Sequence, residues 1–262
     1  LVNLPIGETE VDVILECQQV SYAQRLRDVT FATESGQLVG IIGGNGAGKT
    51  TLLHTLTAQL KPTRGKITFL GKDLEAASPL ERRQMFGFLP QNPGVFSDVS
   101  VAHFLASGLV NLPAKQRGQA EVERVMKLLD LLEFRQRALT QLSGGEQRRV
   151  QFARALLGNQ PLLLCDEPIA SLDLGYQLQV MALLRELANA GKTVVVALHD
   201  LSLAARFCDR LLLLHKGTQV DFGEPAQVLT DTNLAQTFGI KARWLCTEQG
   251  VAMLPTLLKT SP

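Results

Sequence analysis

Gly43-Gly44-Asn45-Gly46-Ala47-Gly48-Lys49-Thr50 fits the pattern G-x-x-x-x-G-K-[ST], a phosphate-binding loop. The flanking sequence supplies the context this pattern needs. Before it, Leu38-Val39-Gly40-Ile41-Ile42 reads as a buried strand. After it, Leu52, Leu53, Leu56 and Leu60 recur at helical spacing, and Lys61-Pro62 is expected to end the helix. A polyphosphate must be wrapped by backbone N–H groups; glycines clear the approach and admit φ > 0. The loop opens a helix, whose positive end favours anions. Lys49 can reach the β- and γ-phosphates, and the Thr50 hydroxyl can ligate Mg²⁺. The alternative, a glycine turn that binds nothing, is disfavoured by Lys49-Thr50 at the helix start.

Outward from the loop, strands are predicted over residues 13–20, 26–33, 66–70 and 86–89, and residues 1–10 are expected to be loose. Ser78-Pro79-Leu80-Glu81 reads as a helix start, with proline at an early position. Residues 92–141 change character. They open with Asn92-Pro93-Gly94, predict a helix near 100–110, and after Pro113 and Gly118 predict another. Val122, Val125, Met126, Leu129 and Leu132 form its apolar face. The segment reads as a helical subdomain inserted in an α/β core. The α/β pattern then resumes with strands at 162–166 and 193–198 and helices at 177–190, closed by Gly191, and 200–207. A hairpin is predicted about His215-Lys216-Gly217. Short helices near 225–229 and 232–238, and strand-like pieces near Trp244 and Val251, complete the chain.

Leu162-Leu163-Leu164-Cys165-Asp166-Glu167 is an apolar strand ending in two acids. Alone, it could be a strand end with two solvated carboxylates. Beside a phosphate loop, Asp166 fits a Mg²⁺ ligand acting through the ion's water shell, and Glu167 a base that polarises the attacking water. Leu142-Ser143-Gly144-Gly145-Glu146-Gln147 reads as a second helix start. Ser143 is an N-cap with Glu146 three residues on, as a capping box requires. Gly144 and Gly145 leave the first-turn N–H groups bare, so this end is also suited to an anion.

Composition narrows the alternatives. In 262 residues, 45% are hydrophobic and 19% charged, so a packed core is expected rather than disorder. Lys+Arg of 26 against Asp+Glu of 25 gives a net charge of +1, and aromatics are 5%; neither favours nucleic acid as a partner. Cys17, Cys165, Cys208 and Cys246 are far apart, as suits reduced thiols in a cytosolic protein. No apolar run approaches a membrane span and the N-terminus has no signal-peptide pattern, so other chains are expected to supply any membrane spans.

GGNGAGKT, LSGGEQ and LLLCDEP, in this order, resemble the nucleotide-binding subunits of ATP-binding cassette (ABC) transporters, over about residues 13–222. The resemblance implies an α/β P-loop NTPase core with an antiparallel β subdomain and an inserted α-helical subdomain. One nucleotide-binding domain would span 11–240 (core 11–91 and 143–240, helical subdomain about 92–142), with 241–262 a short extension. It also implies that two cassettes sandwich two ATP·Mg²⁺ head to tail. Gly43 to Thr51 of one would face Ser143, Gly144, Gly145 and Glu146 of the other. By resemblance, Gln91 contacts Mg²⁺ and the attacking water, and Ser171-Leu172-Asp173 crosses the dimer interface. His199 contacts the γ-phosphate, and Tyr22 stacks on adenine. Three departures are Cys165, where an aliphatic residue is common, Ile169, where threonine is frequent, and Asn45 within the loop, itself a common variant.

Leu198-His199-Asp200-Leu201, residues 223–230 (GEPAQVLT) and 233–239 (NLAQTFG) resemble bacterial importers of iron–siderophore complexes, haem or cobalamin. That group implies two transmembrane permease subunits, a periplasmic or lipid-anchored binding protein, and a place on the cytoplasmic side of the inner membrane. The competing readings are an exporter subunit with a separate membrane partner, and a non-transport ABC ATPase acting on ribosomes or DNA. The latter is disfavoured by the single cassette and the lack of a heptad run or basic patch.

Overall fold

All five residues of the strand Leu38–Ile42 (β3) are buried, because other strands flank it and apolar layers cover both its faces. The computed structural model describes residues 13–91, 98–109, 118–158, 160–170, 172–247 and 250–258. The expectations for residues 1–10, Asn92-Pro93-Gly94, Pro113 and Ser171 lie outside these.

The remaining strands are β1 (Val13–Tyr22), β2 (Leu26–Glu34), β4 (Arg64–Phe69), β5 (Lys72–Asp73), β6 (Phe86–Leu89), β7 (Leu162–Asp166), β8 (Thr193–Leu198), β9 (Arg210–His215), β10 (Thr218–Gly223), β11 (Ile240–Thr247) and β12 (Gly250–Leu257). A ten-stranded sheet has the order β5-β4-β1-β2-β10-β9-β3-β8-β7-β6. Strands β9, β3, β8, β7 and β6 are parallel, so the ends of β3, β6, β7 and β8 emerge on one side. Strands β5, β4, β1 and β2 form an antiparallel lobe. A single parallel pair, Thr218 with Arg27, joins this lobe to the core strands.

Alternation divides the core in two. Leu38, Ile42, Leu163, Cys165, Val194, Val196 and Leu198 point to one face. There they meet α5 (Gly144–Ala155), α6 (Leu174–Asn189) and α7 (Leu201–Phe207), and the helical segment of α3 (Val101–Gly108) and α4 (Gln119–Leu128). Val39, Ile41, Leu162, Leu164, Val195 and Ala197 point to the other, against α1 (Lys49–Leu56) and the antiparallel lobe. A seven-residue helix, α2 (Pro79–Met85), opens on the Ser78–Glu81 capping box. Two further helices, α8 (Pro225–Val228) and α9 (Asp231–Phe238), precede the β11–β12 hairpin. The inner face of the hairpin, with Ala242, Trp244 and Met253, packs on the core.

Three helices differ from the sequence reading. Helix α1 stops at Leu56, so Leu60 lies beyond it. Thr55 and Thr57 turn their hydroxyls back onto the carbonyls of Leu52 and His54, and Ala58 has φ +54°. Helix α4 ends at Leu128. Asp130, at φ +51°, reverses the chain, and Leu132 is 43% exposed on a following 3₁₀ turn rather than on the apolar face. Helix α6 begins at Leu174 rather than 177, because Asp173 caps it by accepting from Tyr176 N at 3.0 Å.

Cys17, Cys165 and Cys208 are free and buried. Burial pushes the Cys165 thiol up to about 12, and holds Cys17 and Cys208 well above the usual thiol range. No helix among the described residues is long and apolar enough to cross a membrane.

Candidate nucleotide site

The loop from β3 to α1 is fixed by close backbone approaches. Gly43 has φ +153°, and a Cβ there would sit 2.4 Å from Leu214 O. Gly48, the N-cap of α1, has φ +105°, and its Cβ would lie 2.9 Å from Leu26 Cδ2 and 3.0 Å from Arg25 O. Only glycine satisfies both the dihedral and the space. On the open side the reverse holds: among the described residues, nothing lies within 4 Å of a Cβ built on Gly44 or Gly46. The loop is therefore braced from behind and bare in front, the form of an anion cradle.

Lys49 folds back over this cradle. Its Nζ donates to Gly43 O at 2.9 Å and Gly44 O at 3.4 Å, and the residue is buried. Burial lowers its pKa, an effect opposed by the nearby Glu167 and Asp166 carboxylates. The Thr50 hydroxyl donates to Asp166 Oδ1 at 3.3 Å. Asp166 Oδ2 is buried and, among the described residues, has no hydrogen-bond partner. Desolvation raises the Asp166 pKa, so its charge is costly until a cation meets it.

Glu167 follows the end of β7 with φ +49°, outside the strand conformation. Its carboxylate is held from both sides: Gln91 Nε2 donates to Oε2 at 2.7 Å, and His199 Nε2 lies 2.5 Å from Oε1. Gln91 comes from the end of β6 and His199 from the end of β8, the neighbours of β7. Gln91, Glu167, His199 and Asn45 to Thr51 line one cavity of about 560 Å³, together with Gln24, Arg25 and Lys216. A larger cavity, about 1040 Å³, lies beside α7, α8 and the hairpin and has none of these phosphate-binding groups.

The second helix start forms as a capping box. Ser143 Oγ accepts from Glu146 N at 3.4 Å, and Glu146 Oε2 accepts from Ser143 N at 2.7 Å. Among the described residues, a Cβ on Gly144 or Gly145 would meet nothing within 4 Å. Neither these residues nor Asp173 line the cavity. Tyr22 does not line it either. It pairs with Leu26 across a tight turn and packs on the apolar core, while the turn residues Gln24 and Arg25 reach the cavity instead.

The sequence profile of the ABC transporter family matches residues 26–170. The chain belongs to the ABC transporter family. It is an ATP-binding cassette, with the P-loop ABC fold and the ATPase activity of that family. It is 38% identical over 229 residues to a hemin import ATP-binding protein of Bordetella avium, covering 83% of this chain and 87% of that one. An inward-facing transporter assigned to the metal-chelate type has a subunit that superposes with TM-score 0.80 at 26% identity, over 95% of this chain and 98% of that one. A dimeric ATP-binding cassette in a post-hydrolysis state with ADP and Pi gives TM-score 0.73 at 27% identity, over 81% and 99%.

Four residues of this ABC cassette that sequence reading left out now stand at or beside the site. Gln24, Arg25 and Lys216 reach the cavity through turns that meet only in space: Gly217 N donates to Ala47 O at 3.0 Å, and Arg27 N to Gly217 O at 2.8 Å. Arg148, one turn into α5, donates to the carbonyls of Pro90, Gln91, Asp166 and Glu167. Its position in GGEQRRV reads as an ordinary polar helix residue, and no local signal marks it.

Proposed function

We propose that the chain is the ATP-hydrolysing subunit of a bacterial importer, powering uptake of a haem, iron–siderophore or cobalamin-type metal chelate across the inner membrane. The observation that carries the ATPase part is the convergence of Lys49, Thr50, Gln91, Asp166, Glu167 and His199 on one cradle. The import part rests on similarity to a hemin import subunit and to a transporter assigned to the metal-chelate type.

In this reading, the amides from Gly43 to Thr51 and the Lys49 ammonium hold the β- and γ-phosphates. Thr50, Asp166 and Gln91 would hold Mg²⁺. The fit is supported by the orphaned, buried Asp166 Oδ2 and by an oxygen-rich donor set suited to a hard cation that keeps several waters. When bound, the ion would neutralise charge on the phosphate oxygens. Glu167 accepts a proton from the attacking water as that water's oxygen bonds to the γ-phosphorus and the bond to the ADP oxygen breaks. Gln91 and His199 orient Glu167, and His199 is the contact to the γ-phosphate. Tyr22, on the family pattern, would stack on adenine; Gln24 and Arg25 are the residues at that mouth of the cavity.

Ser143, Gly144, Gly145 and Glu146 present their anion-binding end outside the chain's own cavity. A second copy, packed head to tail with Asp173 at the interface, brings that end to the first copy's nucleotide. Closure is then a population shift driven by contacts that exist only in the closed dimer. We read residues 11–240 as one nucleotide-binding domain, with about 92–142 as its helical subdomain and 241–262 as an extension. A groove of about 590 Å³ between β6 and helices α3 and α5 includes Arg82, Arg83, Phe86, Pro90, Phe104 and Arg154. It is the docking surface we assign to the two permease subunits, which place the protein on the cytoplasmic side of the inner membrane. A binding protein would act indirectly, and nucleic acid has no part.

The test is copurification of the tagged protein with its membrane subunits, then uptake of hemin, a ferric siderophore and cobalamin by the reconstituted complex. Uptake of one of these, lost in Lys49→Ala, is expected. ATP hydrolysis at the parental rate in Lys49→Ala would refute the phosphate-loop assignment, and efflux instead of uptake would refute import.

A further inference from the structure

Arg148 meets Asp166 and Glu167 through their backbone oxygens rather than their carboxylates. Among the described residues it forms no ion pair; its guanidinium is spent on carbonyls. Nη1 donates to Pro90 O at 2.7 Å, Gln91 O at 3.1 Å and Gln151 Oε1 at 3.3 Å. Nη2 donates to Asp166 O and Glu167 O, both at 3.0 Å. Burying a cation this way is unfavourable unless the geometry does something that an apolar side chain cannot.

The acceptors identify that role. Strands β6 and β7 pair up to Leu89 with Cys165, and the chain segments that follow carry Gln91 and Glu167. Beyond that last pair the planar guanidinium supplies donors to both segments at once, which a point-charge ammonium cannot do with the same reach. Glu167 is held at φ +49°, a conformation that persists only when its surroundings over-determine it. Pro90 and Gln151 border the groove, whereas Gln91 and Glu167 line the nucleotide cavity. One side chain thus spans both.

We propose that Arg148 is a positioning residue that makes the Pro90–Gln91 and Asp166–Glu167 segments move as one body, carrying displacement at the groove to the Glu167 carboxylate. The second half rests on the reading of the groove as the permease-docking surface. Arg148 is not among the residues that line the nucleotide cavity; it acts through Glu167.

The test is a double-mutant cycle on the full chain. Arg148→Lys and Arg148→Gln are each measured alone and combined with Glu167→Gln, reading single-turnover ATP hydrolysis and the Kd of a fluorescent ATP analogue. A misplacement near 1 Å costs about 10²-fold, so each single variant is expected to lose that order of turnover with little change in Kd. In the Glu167→Gln background neither should cost more, because the residue they act through is already disabled. Equal losses in both backgrounds would make Arg148 a packing residue and overturn the proposal, and so would parental turnover in both variants. In the complex with membrane subunits, the stimulation of hydrolysis should vanish in Arg148→Gln; retained stimulation would overturn the transmission step. If the parent protein is not stimulated at all, the docking reading fails instead, and the cycle alone decides the positioning role.

Discussion

Replacing Glu167 by glutamine removes a negative charge and a proton acceptor while nearly preserving shape. The parent carboxylate meets Gln91 Nε2 at 2.7 Å and His199 Nε2 at 2.5 Å. The new amide keeps one of these contacts through its oxygen and the other by a flip of the Gln91 amide or a change of His199 tautomer. The cradle keeps its hydrogen bonds, because Lys49 donates to the carbonyls of Gly43 and Gly44 rather than to Glu167. Lys49 loses one of two nearby carboxylates but keeps Asp166, so the main loss is the base. General-base assistance contributes about 10²–10⁴-fold, or about 2.7–5.4 kcal/mol at about 1.36 kcal/mol per tenfold. Phosphate release at saturating Mg-ATP should fall by that factor, while the Kd of a fluorescent ATP analogue changes little. With hydrolysis blocked, Mg-ATP should hold the variant as a dimer in size-exclusion chromatography. Turnover within about threefold of the parent, far short of that range, would remove Glu167 from the role of base.

Asp166→Asn separates stability from catalysis. Desolvation raises the Asp166 pKa in the folded state, so the folded protein binds the proton more tightly than the unfolded chain. The ionised group therefore costs stability above its folded pKa, and the cost is relieved as pH falls towards the ordinary carboxylate value. In Mg²⁺-free buffer the variant should melt higher than the parent at pH 7, with the gap closing near pH 4, while hydrolysis is lost; a pH-independent gap would refute the account. Gly43→Ala places a methyl 2.4 Å from Leu214 O at φ +153° and should cost roughly 1–3 kcal/mol, read as a fall in melting temperature with loss of ATP binding. Ser143→Ala removes the cap of α5, at about 1 kcal/mol. It should weaken the Mg-ATP dimer while the monomer still binds nucleotide, and an undiminished dimer would show that this helix end does not face a second copy.

What the sequence disclosed was local. The strand, glycine loop and helix around Lys49 depend on residues within one turn or one pleat of each other, and so does the Ser143–Glu146 box. Apolar runs such as Leu162 to Asp166 sit in the parallel sheet because they are buried on both faces. The misplaced boundaries share a cause. Leu60 and Leu132 continue a periodic pattern after Ala58 and Asp130 have turned the backbone to positive φ, which hydrophobic spacing does not register. Asp173, grouped by motif with the loop before it, is also the cap that starts α6. Tyr22, the last residue of β1, pairs with Leu26 beside a tight turn, and it is the turn residues Gln24 and Arg25 that line the cavity. Arg148 was silent because its acceptors Pro90 and Asp166 lie 58 and 18 residues away, and their meeting is a property of the sheet order.

The three buried sulfurs carry a practical corollary. A thiol that hardly ionises at neutral pH is a poor nucleophile, and Cys17, Cys165 and Cys208 are also shielded from reagents by the packed interior. Maleimide dyes or spin labels attached through a cysteine introduced at an exposed site would find these native positions chemically mute. Distances between two labelled copies could then follow the opening and shutting of the pair without first stripping these residues from the interior.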